Sequence, residues 1–542
     1  MLGRMQNWPL NVFRLIDHAA LNAGHQEIVS MTVEGPTVRT NWKNVRERAK
    51  RIAQALRRLG IEGGDRVGTL AWNTHRHVEC WFAISGMGAV AHTINPRLFS
   101  EQIIYIANHA SDRALFFDAG FIKLVEEIAP SLTSVKYFIV MSDASNMPAS
   151  SLDLICYEDL VSAQDGDFSW LNVDENAPSG LCYTSGTTGN PKGVLYSHRS
   201  TVLHSYSAAQ FDSLGLSSRA TVLPIVPMYH ANAWGIPYAA ALTGAKLVMA
   251  GPHFDAATLI ARIREEGVTH AAAVPTIWQA ILQFLDEEGG NLGQLQRLIV
   301  GGAAAPRSLI EAYETRFGLT VCHAWGMTEM SPIGSVGMLD AAGAALEYDD
   351  QLTLKCKQGR APFGVELRIV GSENQELPRD GKTAGRLKSR GAWVIAEYFG
   401  GDGGAILDED GWFDTGDVAT IDASGYMKIT DRSKDVIKSG GEWISSIDLE
   451  NAAVGHPGIA EAAVIGIPHP KWDERPILIA VRKKTATTTA AELLDFLSTK
   501  VAKWWLPDEI YFVDDLPHTA TGKIQKTTLR TQFGAGPAGR HS

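Results

Sequence analysis

Eleven consecutive residues, Tyr183-Thr184-Ser185-Gly186-Thr187-Thr188-Gly189-Asn190-Pro191-Lys192-Gly193, hold three glycines, four Ser/Thr hydroxyls and one lysine. Glycine lets backbone N–H groups turn toward a ligand with no side chain in the way. Successive N–H groups in such a turn make a concave anion site, to which hydroxyls add donors. Lys192 adds a positive charge on a flexible stem. The chemistry this composition fits is a grip on a polyphosphate. The spacing is not G-x-x-x-x-G-K-[ST], because Lys192 stands between Pro191 and Gly193. A flexible Gly/Ser linker is the bland alternative. It is disfavoured by the apolar residues on either side, Leu181-Cys182 and Val194-Leu195-Tyr196, which read as strands.

Further groups of residues offer complementary chemistry. His323-Ala324-Trp325-Gly326-Met327-Thr328-Glu329 follows the strand-like Leu319–Cys322, at the carboxyl end where open α/β sheets bind ligands. Trp325 offers a flat ring to a purine, Thr328 a hydroxyl to a phosphate, and Glu329 a hard oxygen to Mg²⁺. Gly301-Gly302-Ala303-Ala304-Ala305-Pro306 would let a flat ring approach the backbone closely. A helix start with Pro306 in its first turn explains the same residues equally well. In Trp412-Phe413-Asp414-Thr415-Gly416-Asp417, either Asp414 or Asp417 could accept hydrogen bonds from a ribose diol. Taken alone, His230 in Pro227–Trp234 reads as a structural histidine. The charges of Asp431–Asp435 read as a solvated linker, and Lys523 as an exposed surface lysine.

Strands alternating with helices must position these groups. Asn41–Leu56 reads as a helix, with Val45, Ala49, Ile52, Ala53 and Leu56 at helical spacing. Arg66–Trp72 reads as a strand, Val78–Val90 as a helix, Ala114–Phe117 as a strand, Ile122–Ile128 as a helix and Val135–Met141 as a strand. The alternation resumes with a helix at Ser200–Gln210 and strands at Ala220–Pro227, Ala245–Met249, His270–Val274 and Leu298–Val300. Helices are expected at Ala256–Glu266 and Ile277–Glu287. This pattern predicts an α/β fold of layered, mostly parallel sheets covered by helices. From Gly364 onward, short runs between turn clusters predict a small antiparallel region. Acidic and basic residues balance from Lys434 to Ser542, so the acidic excess lies wholly in the earlier part. We expect a large domain over residues 1–433 and a small α+β domain over 434–542.

In order and composition these motifs resemble those of the adenylate-forming superfamily, which comprises acyl-CoA synthetases, adenylation domains and beetle luciferases. The resemblance covers nearly the whole chain, and we find no catalytic motif broken. Residues 325–329 fit [YW]-G-x-T-E, residues 415–417 fit T-G-D, and residues 517–523 fit P-x-T-x-x-G-K. The chain looks nearest to the medium- and long-chain fatty-acyl-CoA ligases and 3-methylmercaptopropionate-CoA ligases.

The resemblance implies specific roles. Thr184, Ser185, Gly186, Thr187, Thr188, Gly189 and Lys192 would hold the phosphates of ATP. Gly302, Ala303, Ala304, His323, Ala324, Trp325, Gly326, Met327 and Thr328 would line the nucleotide. Asp417, Ile429 and Arg432 would meet the ribose side. Thr184 and Glu329 would carry Mg²⁺. His230, Trp234, Gly302, Gly326 and Pro332 would line an apolar acyl pocket. Lys434 would be a hinge about which the small domain turns. Lys523 would bridge the carboxylate and the α-phosphate. Lys438, Ser439, Gly440, Gly441, Glu442, Trp443 and Lys526 would face CoA. Lys523, His230, Lys434 and Glu329 are the expected catalytic set. The implied activity is an AMP-forming acid–CoA ligase acting through an acyl-adenylate, with a short or medium apolar acid as substrate, such as 3-(methylthio)propionate. A medium- or long-chain fatty acid is the alternative. Transfer to a carrier protein, a non-catalytic nucleotide sensor and a kinase are rival readings. AMP as product separates the ligase from the kinase, which would release ADP.

Composition bounds the partners. Charged residues at 20%, hydrophobic residues at 45% and a net charge of −11 are those of a globular protein without a general basic field for nucleic acid. Five scattered cysteines form no C-x-x-C pair, so a reducing cytoplasm is the expected setting. No apolar run is long enough to span a membrane. The resemblance allows a homodimer, although the sequence shows no interface.

Overall fold

The computed structural model of the 542-residue chain describes residues 3–184, 190–432, 434–439, 442–519 and 523–534. Two mainly parallel sheets form the larger part. In the seven-stranded sheet, Leu154–Cys156, Tyr137–Val140, Ala114–Phe117, Arg66–Leu70, Val90–Thr93 and Pro178–Tyr183 lie side by side, all parallel. Gly193–Ser197 closes one edge as an antiparallel hairpin with Pro178–Tyr183. The expected phosphate loop therefore caps a hairpin at the carboxyl end of a parallel strand.

The eight-stranded sheet runs Ile333–Gly337, Thr320–Gly326, Arg297–Val300, His270–Ala273, Thr221–Pro224, Lys246–Met249, Glu27–Met31, Thr37–Asn41. Its centre is parallel and both edges are antiparallel. The sequence pattern did not separate these two sheets, nor place Glu27–Met31 beside Lys246–Met249. Pairing across so many residues leaves no local periodicity.

One continuous core joins the sheets, including Trp42, Trp81, Tyr238, Ala91 and Leu247. Helix Trp42–Arg58 matches its expected amphipathic face, and Asn41 caps it by accepting the Asn44 N–H at 2.9 Å. The helix expected over Val78–Val90 is His75–Gly86 instead, followed by a turn at Gly88 with φ of 83° and the strand Val90–Thr93. Every residue of that helix is buried, so its sequence has no polar face to mark its limits.

The smaller antiparallel sheet is Val365–Val370, Gly385–Gly391, Phe413–Ile421 and Met427–Arg432. Beyond it, Glu442–Ile444, Ile437–Ser439, Asp473–Arg482, Ile459–His469 and Glu509–Val513 form a separate mixed sheet. Helices Ser446–Val454, Ala490–Ser498 and Lys526–Phe533 pack on it around their own apolar clusters. The fold class is the one expected from the sequence, while strands Glu27–Met31, Thr37–Asn41 and Val90–Thr93 and helix Ser100–Ala110 were not read from it.

Candidate active site

The phosphate stretch is pinched at its base. The Thr184 N–H donates to the Lys192 carbonyl at 2.9 Å, and the Lys192 N–H donates to Thr184 Oγ1 at 3.2 Å. Ser185, Gly186, Thr187, Thr188 and Gly189 lie outside the described residues. The Lys192 ammonium sits 4.9 Å from the centre of the Tyr398 ring. On the hairpin's second strand, Tyr196 donates its hydroxyl to the Thr328 carbonyl at 2.8 Å, tying the loop's support to the segment that bears Glu329.

Glu329 lies in the short 3₁₀ turn Thr328–Met330 after strand Thr320–Gly326. It is buried, and burial raises its carboxyl pKa. A hydrogen bond from the Tyr398 hydroxyl at 2.7 Å and the charges of Lys523 and Arg432 oppose that rise. One hydrogen bond leaves a carboxylate with further lone pairs, so Glu329 fits a hard cation such as Mg²⁺. Thr184, whose hydroxyl already accepts the Lys192 N–H, could add an oxygen.

Asp417 lies in strand Phe413–Ile421 beside Arg432 of Met427–Arg432, with Arg432 Nε 3.8 Å from Asp417 Oδ1. The Trp325 indole N–H donates to Asp417 Oδ2 at 2.9 Å. Of the two aspartates open on chemistry alone, Asp417 joins this cluster, while Asp414 pairs with Arg386 at 2.7 Å.

Lys523 reaches the same cluster from the C-terminal unit. Its main chain is fixed by the Thr519 N–H to the Lys523 carbonyl at 2.7 Å and by the Lys523 N–H to Thr519 Oγ1 at 3.1 Å. Burial and the Arg432 charge lower its pKa to about 8, against the pull of Asp417 and Glu329. His230 lies within reach of the Lys523 charge. Burial first, then that charge, lowers its pKa to about 4, so it is a neutral imidazole at pH 7.

Trp234 is buried against Gly301, where an added Cβ would come within 3.0 Å of its indole. The backbone that aims it is left-handed at four successive non-glycine residues, Ala231, Asn232, Ala233 and Trp234, with φ of 42°, 53°, 47° and 56°. Such conformations cost on the order of 1 kcal/mol each and persist where the surroundings impose them. Here Asn232, the second residue of that turn, is held by the Cys182 thiol, which donates to its Oδ1 at 3.1 Å. At Gly326, a Cβ would lie 2.0 Å from the Pro332 carbonyl, so this pair sits in direct main-chain contact.

Other expected residues take different places. The His323 ring is fully buried: Nε2 accepts the Ala305 N–H at 3.2 Å and Nδ1 faces the Lys355 carbonyl at 3.3 Å. With both nitrogens engaged, the ring has nothing to offer a nucleotide and instead fixes the 301–305 segment. Ala324 precedes Trp325 in strand Thr320–Gly326, and the Met327 side chain packs against apolar clusters that include Phe413 and Ile429. Gly302, with φ of 84°, Ala303 and Ala304 line the turn after strand Arg297–Val300. Ile429 is buried, and its N–H donates to Gln358 Oε1 at 2.6 Å.

Lys526 is not an open contact for CoA in this arrangement. Its ammonium is buried 2.7 Å from Glu450 and 2.5 Å from Ser446 Oγ, and Asp431 and Asp435 add to the negative field around it. No local pattern shows that these acids converge. Lys438 is exposed, with its N–H on Glu474, and Ser439 is buried near Arg475. Gly440, Gly441 and the side chains of Glu442 and Trp443 lie outside the described residues.

Around Lys434, Asp431 accepts the N–H groups of Arg432 at 2.8 Å and Ser446 at 2.7 Å. Lys428 pairs with Asp448 at 2.8 Å, and Arg530 pairs with Asp435 at 2.6 Å. The Ser445 hydroxyl donates to the Thr430 carbonyl. Lys434 itself is exposed, in a turn. Sequence reasoning missed Tyr398, Gln358 and Tyr196. Each acts through contacts with distant segments, which no spacing announces.

Lys523, Glu329, Asp417 and Arg432 thus gather where the larger sheets, the small antiparallel sheet and the C-terminal unit meet. The family described as AMP-binding enzyme matches residues 16–399, and its C-terminal domain matches residues 448–523. The chain belongs to this family of AMP-binding enzymes. It is 52% identical, over 98% of its length and 99% of the relative's, to a 3-methylmercaptopropionyl-CoA ligase of Ruegeria lacuscaerulensis. It is 50% identical, over 98% of both chains, to a medium-chain-fatty-acid–CoA ligase of Ectopseudomonas oleovorans. Its fold matches a crystal structure of an anthranilate CoA ligase in complex with anthranoyl-AMP with a TM-score of 0.87, covering 98% of this chain and 100% of that one at 24% identity.

Proposed function

We propose that this protein is an AMP-forming acid–CoA ligase acting in two steps. The observation that carries the reading is the meeting of Lys523 with Glu329, Asp417 and Arg432, in a chain that aligns with CoA ligases over almost its whole length. In the first step a carboxylate oxygen attacks the α-phosphorus of ATP, and the bond to the β-phosphate oxygen breaks to release pyrophosphate. Two anions meet, so the site must offset their repulsion. Lys523 does so from the carboxylate side, and the hydroxyl-rich loop and Lys192 from the phosphate side. Mg²⁺ held by Glu329 and Thr184 would supply further neutralisation of the phosphates. Asp417 and Arg432 hold the ribose, and Trp325, anchored through its N–H, presents its ring to the adenine. In the second step the CoA sulfur attacks the acyl carbon, the carbonyl–phosphate bond breaks, and AMP leaves.

The small domain would begin at Lys434 and turn there between steps, withdrawing Lys523. That turn must break the bonds of Asp431 to Ser446 and of Lys428 to Asp448. We assign Lys438, Ser439 and the segment through Trp443 to the CoA side after the turn.

For the acid, the buried Trp234 against Gly301 favours a short chain, and 3-(methylthio)propionate is our first choice, supported by the 52% identical ligase. Medium-chain fatty acids are the second reading, supported by the 50% identical one. A series of acids of increasing length, scored by kcat/KM for CoA-dependent AMP release, decides between them. A maximum at short chains is expected, and a maximum at long chains refutes the choice. No pyrophosphate from any acid would overturn the ligase itself. The same reading carries a cytoplasmic setting, consistent with five free thiols, and a homodimer, which rests on family resemblance alone.

A further inference from the structure

Tyr398 lies outside every motif read from the sequence, yet it touches two charged groups of the site. Its hydroxyl donates to Glu329 Oε1 at 2.7 Å, and the Lys192 ammonium lies over its ring at 4.9 Å. The side chain is buried, with 9% of the residue exposed. The same segment also fixes the main chain around Glu329. The Ile395 N–H donates to the Glu329 carbonyl at 2.8 Å, and the Ser331 hydroxyl donates to the Trp393 carbonyl at 3.0 Å. Lys192 is also approached by Gly403, whose φ is 80° and whose Cβ, if present, would lie 2.7 Å from Nζ.

We propose that Tyr398 is a positioning residue that sets two charges at once: its hydroxyl orients the Glu329 carboxylate toward the metal–triphosphate, and its ring face holds the Lys192 ammonium. The proposal rests on the adenylating activity proposed above. A carboxylate held by one donor keeps lone pairs for a hard cation in a fixed direction, whereas a free one samples several rotamers. An ammonium over a phenol ring keeps its charge and loses reach. Burial and the adjacent Glu329 both hold the phenol in its protonated, donating form.

The two halves of the role separate by substitution. Tyr398→Phe keeps the ring under Lys192 and removes only the donor, while Tyr398→Leu removes both. The readouts are the Mg²⁺ concentration giving half-maximal ATP–pyrophosphate exchange and, independent of turnover, calorimetric binding of ATP with Mg²⁺ and of pyrophosphate without it. For Tyr398→Phe, loss of a hydrogen bond to a charged group predicts about a tenfold rise in the Mg²⁺ requirement, with pyrophosphate binding and the KM of the acid unchanged. Tyr398→Leu should in addition weaken metal-free pyrophosphate binding several-fold. A wild-type Mg²⁺ requirement in Tyr398→Phe overturns the proposal, as does a loss of rate that is uniform at all Mg²⁺ concentrations. Wild-type protein that binds ATP but exchanges no pyrophosphate would refute the ligase reading, while the calorimetric comparison would still test Tyr398.

Discussion

Lys523→Ala separates the two half-reactions. The ammonium lies among Asp417, Glu329 and Arg432, with a pKa lowered to about 8, so at pH 7 about nine molecules in ten carry its charge. The substitution therefore removes close to a full positive charge from the point where two anions must meet. Removing one preorganised donor of this kind costs about 3–4 kcal/mol in the transition state, on the order of 10²–10³ in rate. The loop itself should survive, because Lys523 holds Thr519 through main-chain atoms. The assay runs each half alone: ATP–pyrophosphate exchange with the acid for the first step, and loss of CoA thiol with a synthetic acyl-adenylate for the second. Exchange should fall by that factor and thioester formation should stay within about twofold. Equal losses in both would refute the assignment, because a lysine that merely supports the fold or binds AMP would weaken both steps alike.

Three further outcomes follow from the geometry. Lys434→Pro should give the mirror pattern, with exchange retained and thioester formation lost, because a fixed φ blocks the turn; a variant competent in both steps removes Lys434 from the hinge. The kcat/KM of the first step, which reports the free enzyme, should fall tenfold per pH unit above about pH 8 as Lys523 loses its proton, and a flat profile to pH 9.5 contradicts this. Glu450→Gln leaves Lys526 buried without its nearest carboxylate and should cost about 3 kcal/mol in urea unfolding. The double variant with Lys526→Met should recover most of that loss, and an additive double loss would show that the pair is not coupled.

The sequence by itself determined the fold class and much of the alternation of strands and helices, and it marked the charged residues from which a site could be built. Those signals are local: three glycines and a lysine in one short stretch, a tryptophan and a glutamate four positions apart, periodic apolar faces on helices such as Trp42–Arg58. It also carried the family, through several such motifs in one order. Only the tertiary structure decided which of these residues act together and which serve the frame. It selected Asp417 over Asp414 by placing it against Trp325 and Arg432. It put the His323 ring against the Ala305 and Lys355 main chain and paired Lys526 with Glu450 and Ser446, groups far away in the chain. It brought in Tyr398, and it showed two sheets where the alternation of strands and helices gave no means of dividing them. Spacing along a chain encodes what one segment can do. Which segments meet is set by the pairing and burial of the whole, and the field around Lys523, drawn from three separate segments, exists only after that packing is complete.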